Sequence, residues 1–278
     1  MNSIRAHIYN WVPKTWRRRL GKSKMLKPLR DLFFRSKTGF REHTVTVNRN
    51  YEGYAVSFQF VSGIQIAVKA ETKGLENTLL RNSIKLLKEF KPREGDDYYI
   101  ADVGANFGYL SLVWSQSVAK NGTITAFEPH PKIANSLQKS IAKNGSSSII
   151  DLHNVAVGKE KGSVEISLLS TTSNTDKEVI GENQSASVAR IEMVALDDFF
   201  STADRLDMIK IDVDGIELQI LEGAANVLKH LRPIVIVEAN GNFKILEFLV
   251  DMNYTLLDMN LRPFAKDRLP PNIFCIPK

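Results

Sequence analysis

The run Asp102-Val103-Gly104-Ala105-Asn106-Phe107-Gly108-Tyr109 follows a short apolar stretch and turns on two glycines. That is the form of a strand–loop–helix junction that cradles a nucleotide, with Gly104 admitting close backbone approach and Gly108 close packing of helix on strand. A dinucleotide loop needs the middle glycine of G-x-G-x-x-G, and Asn106 stands there instead. A nucleoside with an amino-acid tail therefore fits better than one with two phosphates. Twenty residues past Gly108, Phe127 leads into Glu128 and Pro129. A carboxylate at that offset can accept hydrogen bonds from both hydroxyls of an unphosphorylated ribose. Further on, Lys210-Ile211-Asp212-Val213-Asp214-Gly215-Ile216-Glu217 meets a helix start. Lys210 and Asp212 share one face of a strand, Asp214 and Glu217 have the spacing of a capping box, and Asp212 is an acid too costly to bury without a partner. If Val237-Glu238-Ala239-Asn240 ends the next parallel strand, Asp212, Glu238 and Asn240 converge. Such a group could act as a general base or hold Mg²⁺ through hard oxygen ligands.

Strand and helix patterns alternate from Gly95 onward, which predicts a doubly wound α/β sheet with ligands at the carboxyl ends of its strands. Strands are expected at Tyr98–Val103, Thr123–Phe127, Ile149–Val157, Ser163–Leu169, Met208–Val213 and Ile234–Glu238, with Tyr254–Asp258 and Ile273–Ile276 as a closing antiparallel pair. Helices are expected over Asn106–Ala119, Pro131–Lys143, Glu217–Leu231 and Asn242–Asp251, and Arg190–Phe200 reads as strand into short helix. Earlier, Val45 to Val68 alternates with period two and reads as a small three-stranded meander within residues 41–75, followed by a helix to Phe90. Residues 170–188 are polar and read as a loop near the binding site. Residues 1–40 place Ile4, Ile8, Trp11 and Trp16 among many cations and read as a basic amphipathic arm, leaving 76–278 as the main domain.

The net charge is +6, yet the first 50 residues alone carry +11, so the remainder is −5. Basicity belongs to the arm, which disfavours nucleic acid as the partner of the body. One cysteine, Cys275, excludes a disulfide scaffold and fits a reducing, cytoplasmic location. No apolar run is long enough to span a bilayer, whereas the arm suits peripheral contact with an anionic inner membrane surface. The histidines His130, His153 and His230 have no zinc-ligand spacing, and no nucleophile elbow, phosphate-binding P-loop or Asn/Asp-Pro-Pro-aromatic tetrapeptide occurs.

Taken together, Asp102 to Tyr109, Phe127-Glu-Pro-His-Pro131, Asn154-Val-Ala-Val-Gly158, Leu196-Asp-Asp198 and Ile209 to Leu218 resemble the FkbM family of S-adenosylmethionine-dependent methyltransferases, over roughly Glu76 to Asn240. The resemblance implies a class I methyltransferase fold and O-methylation of hydroxyls on sugars and secondary metabolites. It implies that Asp102, Gly104, Asn106 and Gly108 line the methionine end of the cofactor, Glu128 the ribose and Asn154 to Ala156 the adenine. Ala105, Tyr109, Phe127, Pro129 and Asp212 would complete that surface, with Asp212, Glu238 and Lys210 as catalytic groups. Asp214 stands where members more often carry Glu. The expected acceptor is a small molecule or glycan, including glycolipid precursors. An RNA methyltransferase using the arm and a non-catalytic binding module of the same fold are the alternatives.

Overall fold

The computed structural model describes residues 35–36, 39–168, 188–264 and 271–278. Most of the expected arm and nearly all of the polar 170–188 stretch lie outside these. After a short antiparallel pairing of Arg35–Ser36 with Gly39–Phe40, the chain forms a long antiparallel hairpin, β1 (Glu42–Tyr51) and β2 (Tyr54–Gly63), closed by the tight turn Glu52-Gly53. Alternate residues Val45, Val47 and Tyr51 on one strand, and Val56, Phe58 and Phe60 on the other, are buried. The expected third strand is instead a helix, α1 (Ile64–Lys73). Ile64, Ala67, Val68 and Ala70 are its buried residues, and three apolar residues at period two do not separate the alternatives. After α2 (Asn77–Phe90), the unpaired edge of β2 is satisfied by side chains of the main body. The amide nitrogens of Ser57, Gln59 and Val61 donate to Gln116, Asn144 and Ser140 at 2.8, 2.8 and 2.9 Å. Capping the edge in this way removes a site for further strand pairing.

The main sheet follows: β3 (Tyr99–Val103), α3 (Tyr109–Ser115), β4 (Thr123–Phe127), α4 (Pro131–Lys143) and β5 (Ile150–His153). The expected Ile149–Val157 strand breaks at Asn154, and β6 (Ala156–Gly158) joins a separate small sheet with β7 (Gly162–Ser167) and β8 (Val188–Ala195). Next come α5 (Leu196–Phe199), β9 (Met208–Ile211), α6 (Glu217–Glu222), α7 (Ala225–His230), β10 (Ile234–Glu238), α8 (Phe243–Asp251), β11 (Tyr254–Leu257) and β12 (Asn272–Pro277). The single helix expected over Glu217–Leu231 is thus two, parted at Gly223-Ala224.

The seven-stranded sheet runs β11-β12-β10-β9-β3-β4-β5, and every pairing is parallel except those of β12. Successive strand residues enter opposite cores, Ile100 and Met208 on one face, Ala101 and Ile209 on the other, as a sheet covered on both sides requires. From β3 the chain steps outward to β4 and β5, then returns to β9 on the other side of β3. That reversal opens a crevice at the carboxyl ends of β3 and β9, where ligands of open α/β sheets bind.

Candidate active site

The crevice is lined by the loop after β3. Its Gly104 has φ 74°, and a methyl group there would collide with the carbonyl oxygen of Asp212 at the end of β9. The loop is pinned to β4, because the Phe127 carbonyl accepts from Gly104 N at 3.0 Å and Ala105 N at 2.9 Å. Asn106 is left-handed (φ 54°), and its side-chain oxygen accepts from Phe107 N at 2.9 Å. Its backbone N–H donates to Glu128 Oε2 at 2.8 Å, while Glu128 Oε1 accepts from His130 N at 2.8 Å. One buried carboxylate therefore ties the two cofactor-side loops together. Burial pushes its pKa up to about 7, against the lowering effect of those two amides. His130 caps α4 by accepting from Lys132 N at 3.2 Å. Asn154 braces the same corner, donating to the carbonyls of Glu128 at 2.8 Å and Pro129 at 3.0 Å. The Phe127 ring meets Phe199 edge-on at 4.9 Å and stacks on His153 at 5.6 Å, and Ala156 begins β6 beyond it.

Two of the expected residues also pack against neighbouring elements. A side chain on Gly108 would strike Leu137, so this glycine serves the packing of α3 against α4. The Tyr109 ring is buried against Phe58 and Phe60, with its hydroxyl 3.0 Å from that of Tyr51. Its side chain belongs to the seam with the hairpin, a partner that helical spacing does not reveal.

On the other side of the crevice, Asp102 is fully buried. Ser111 Oγ donates to its Oδ2 at 2.6 Å, and Lys210 Nζ lies 3.2 Å from its Oδ1. Lys210, itself buried, donates to the Gly104 carbonyl at 2.8 Å and sits 3.9 Å from Asp212 Oδ2. Burial acts to lower its pKa, but Asp102 and Asp212 outweigh that and the net shift is upward, so it stays a cation. Lys210 thus bridges the loop after β3 and Asp212. Nothing in the sequence flagged Ser111, whose spacing from Asp102 spans the loop.

Asp212 is half-exposed at the tip of β9, and Glu238 ends the adjacent β10. The Glu238 carboxyl lies close enough to that of Asp212 for the two charges to repel, and Asn240 Nδ2 donates to its Oε2 at 3.1 Å. Burial first, then the Asp212 charge, push Glu238 up to about 7. Two acids at adjacent strand tips, one holding a proton near neutrality, can exchange a proton with a bound acceptor. The capping-box expectation is corrected: α6 starts after Ile216, which takes the N-cap position in place of Asp214, and Glu217 reaches back to Gly215 N at 3.1 Å. Asp197 likewise caps a helix, accepting from Asn226 N and Val227 N at 3.0 and 2.8 Å at the start of α7. Among the described residues, no group of three or more His, Cys, Asp or Glu could hold a metal, and no helix is long and apolar enough to cross a membrane.

A glycine loop at the switch point of a sheet with this strand order, closed by one antiparallel strand, defines a class I, Rossmann-like methyltransferase fold. Residues 102–260 match the profile of the methyltransferase FkbM domain, which is more than half of the chain. The chain belongs to the FkbM methyltransferase family, whose methyl donor is S-adenosylmethionine. "Methyltransferase 1" of Beauveria bassiana is 25% identical over 179 residues, 56% of this chain and 71% of that protein. The crystal structure of an FkbM methyltransferase from Methylobacillus flagellatus is 20% identical with a TM-score of 0.46, covering 66% of this chain. The match spans only 44% of that longer protein. TrmK of M. capricolum, solved with S-adenosylhomocysteine, is 19% identical with a TM-score of 0.37, covering 71% of this chain and 66% of its own.

Proposed function

We propose that this protein is an S-adenosylmethionine-dependent O-methyltransferase acting on a hydroxyl of a sugar, glycolipid precursor or glycosylated metabolite. The observation that carries the reading is the carboxylate pair Asp212 and Glu238, set at the tips of adjacent strands beside the Gly104 loop. When bound, S-adenosylmethionine supplies an electrophilic methyl on sulfonium. The difficulty then lies with the acceptor, since a protonated alcohol is a poor nucleophile, and a carboxylate can take the hydroxyl proton during attack.

The fit to the cofactor rests on the cradle at Gly104, which a side chain would fill, and on Glu128 beside it. In this reading the Gly104–Asn106 loop holds the amino-acid end and Glu128 orients the ribose. Lys210 fixes the Gly104 carbonyl and Asp212 in one frame, and Asp212 with Glu238 receives the acceptor proton. Mg²⁺ on Asp212, Glu238 and Asn240 would serve the same acceptor by lowering its pKa.

The first test is calorimetric titration with S-adenosylhomocysteine, repeated with Glu128→Ala. Saturable binding that the variant loses supports the reading; a folded wild type that does not bind overturns it. Once an acceptor turns over, the rate should rise with pH to a plateau above about 7, and Glu238→Gln should lower it about 10²- to 10⁴-fold and abolish that limb. An unchanged rate after chelation of divalent cations supports proton transfer to the pair, and full dependence on added Mg²⁺ transfers the role to metal.

A further inference from the structure

We infer that Asn272 is an acceptor-binding residue, and that the acceptor is a polyhydroxylated ring which Asn272 holds by a hydroxyl across the ring from the one methylated. This role rests on the O-methyltransferase reading, whose substrate class it narrows. Two in-register rows of side chains cross the main sheet. In the lower row Asp102 pairs with Lys210, Lys210 with Ile236, and Ile236 with Phe274, on β3, β9, β10 and β12. All four are buried, at 3% exposure or less. Two residues closer to the carboxyl end, on the same face, the row reads Gly104, Asp212, Glu238 and Asn272. Glu238 and Asn272 are themselves a register pair. Asp212 N donates to the Val103 carbonyl at 3.2 Å, and a side chain on Gly104 would meet the Asp212 carbonyl oxygen. The upper row is thus the lip of the crevice, where the core ends.

Strand order sets the order of tasks along that lip. Gly104 lies at the cofactor cradle, the two carboxylates come next, and Asn272 stands last, on the side away from the cofactor. Neighbouring strands are about 4.8 Å apart, which puts Asn272 about 5 Å from Glu238 and about 10 Å from Asp212 along the row. A ring that presents one hydroxyl to the carboxylate pair therefore extends over Asn272. The carboxamide is equipped to meet it. Its Oδ1 is buried and accepts no hydrogen bond among the described residues, and its Nδ2, on a residue half-buried overall, donates none among them. A buried amide oxygen without a donor is a cost to the fold that packing alone does not explain. The terminal torsion of asparagine is broad and two-fold, so rotation turns either atom toward a ligand, and a hydroxyl can both donate to it and accept from it. Asn240, by contrast, is engaged with Glu238, donating to Oε2 at 3.1 Å. Asn272 also lies past residue 260, where the match to the family profile ends, so its role is read from the geometry of this chain alone.

The test is NMR titration of the full chain, loaded with S-adenosylhomocysteine, with the methyl α-pyranosides of glucose, galactose and mannose. Cyclohexanol, a ring of the same size with a single hydroxyl, is the control. Asn272→Leu, which keeps the branched shape, and Asn272→Ala, which adds no bulk, accompany the wild type. At least one pyranoside should bind the wild type, and both variants should bind it about tenfold more weakly, as the loss of a pair of neutral hydrogen bonds implies. Cyclohexanol should show no dependence on residue 272, and S-adenosylhomocysteine affinity should be the same in all three proteins. Urea unfolding should give both variants a midpoint no lower than that of the wild type, since no hydrogen bond within the fold is lost. Pyranosides that bind wild type and variants alike overturn the role of Asn272 and leave the O-methyltransferase reading intact. A midpoint lowered in both variants overturns it too, because the carboxamide would then be bonded within the fold. A loaded protein that binds none of the pyranosides removes the sugar acceptor and this role with it, and a protein that fails to take up S-adenosylhomocysteine sinks the methyltransferase reading itself.

Discussion

Glu128 serves two loops with one carboxylate, and its environment gives it a pH signature. In the folded protein its pKa is about 7, raised by burial from an ordinary 4.5. Between those values the folded state holds a proton that the unfolded chain has released, so stability falls as pH rises through the window and the full penalty is present above 7. The shift corresponds to about 3 kcal/mol. Thermal melts of the wild type and of Glu128→Gln, compared from pH 4.5 to 7, should show the wild type losing stability relative to the variant. Parallel curves would mean that this carboxylate is not buried as described. Lys210 presents the converse case. Lys210→Met leaves Asp102 buried without its cation, which should cost about 3–5 kcal/mol in urea unfolding. At this scale the sequence showed which acids stand at strand tips, because strand periodicity and order settle that. It did not show that Asp102 would be sealed under Lys210 and Ser111, since those contacts join segments far apart in the chain.

At the scale of elements, the glycine loop is where sequence and structure agree most directly, because its constraint is local. Gly104 combines a positive φ with a close approach to the Asp212 carbonyl. Gly104→Ala should therefore displace the loop, lowering S-adenosylhomocysteine affinity by more than about tenfold while far-UV circular dichroism stays native. An alanine variant that binds normally would show that the loop has slack the geometry does not indicate. Elements without such local signals were less legible. Ile64–Lys73 satisfies both periods over its short apolar stretch, and only its burial against the hairpin decides for helix. The strand expected across Asn154 fails for a related reason. Its two halves are both apolar, and the choice of sheet for β6 is made by pairing with Met193 to Ala195, more than thirty residues on.

At the scale of the whole molecule, the hairpin and the nucleotide-binding sheet share one core. Val47, Tyr51, Phe58 and Phe60 lie in the same apolar cluster as Ile100, Leu112, Trp114 and Ile124. The seam also carries polar ties, since Tyr51 donates to Asn77 at 2.9 Å as well as meeting Tyr109, and the Asn144 amide both accepts from and donates to Gln59. Removing the hairpin would expose the Tyr109 ring and strand the buried hydroxyl, so neither part is expected to persist alone. Hydrogen exchange in rising urea should show the amides of β1 and β2 losing protection together with those of β3 and β4. Tyr51→Phe, which removes the hydroxyl that pairs with Tyr109 and Asn77, should lower the stability of both parts equally, by about 1–3 kcal/mol. A hairpin that opens first, with the sheet still protected, would make it a separate unit. It would also mean that Tyr109, at the start of the helix that follows the cofactor loop, is secured from the sheet side alone.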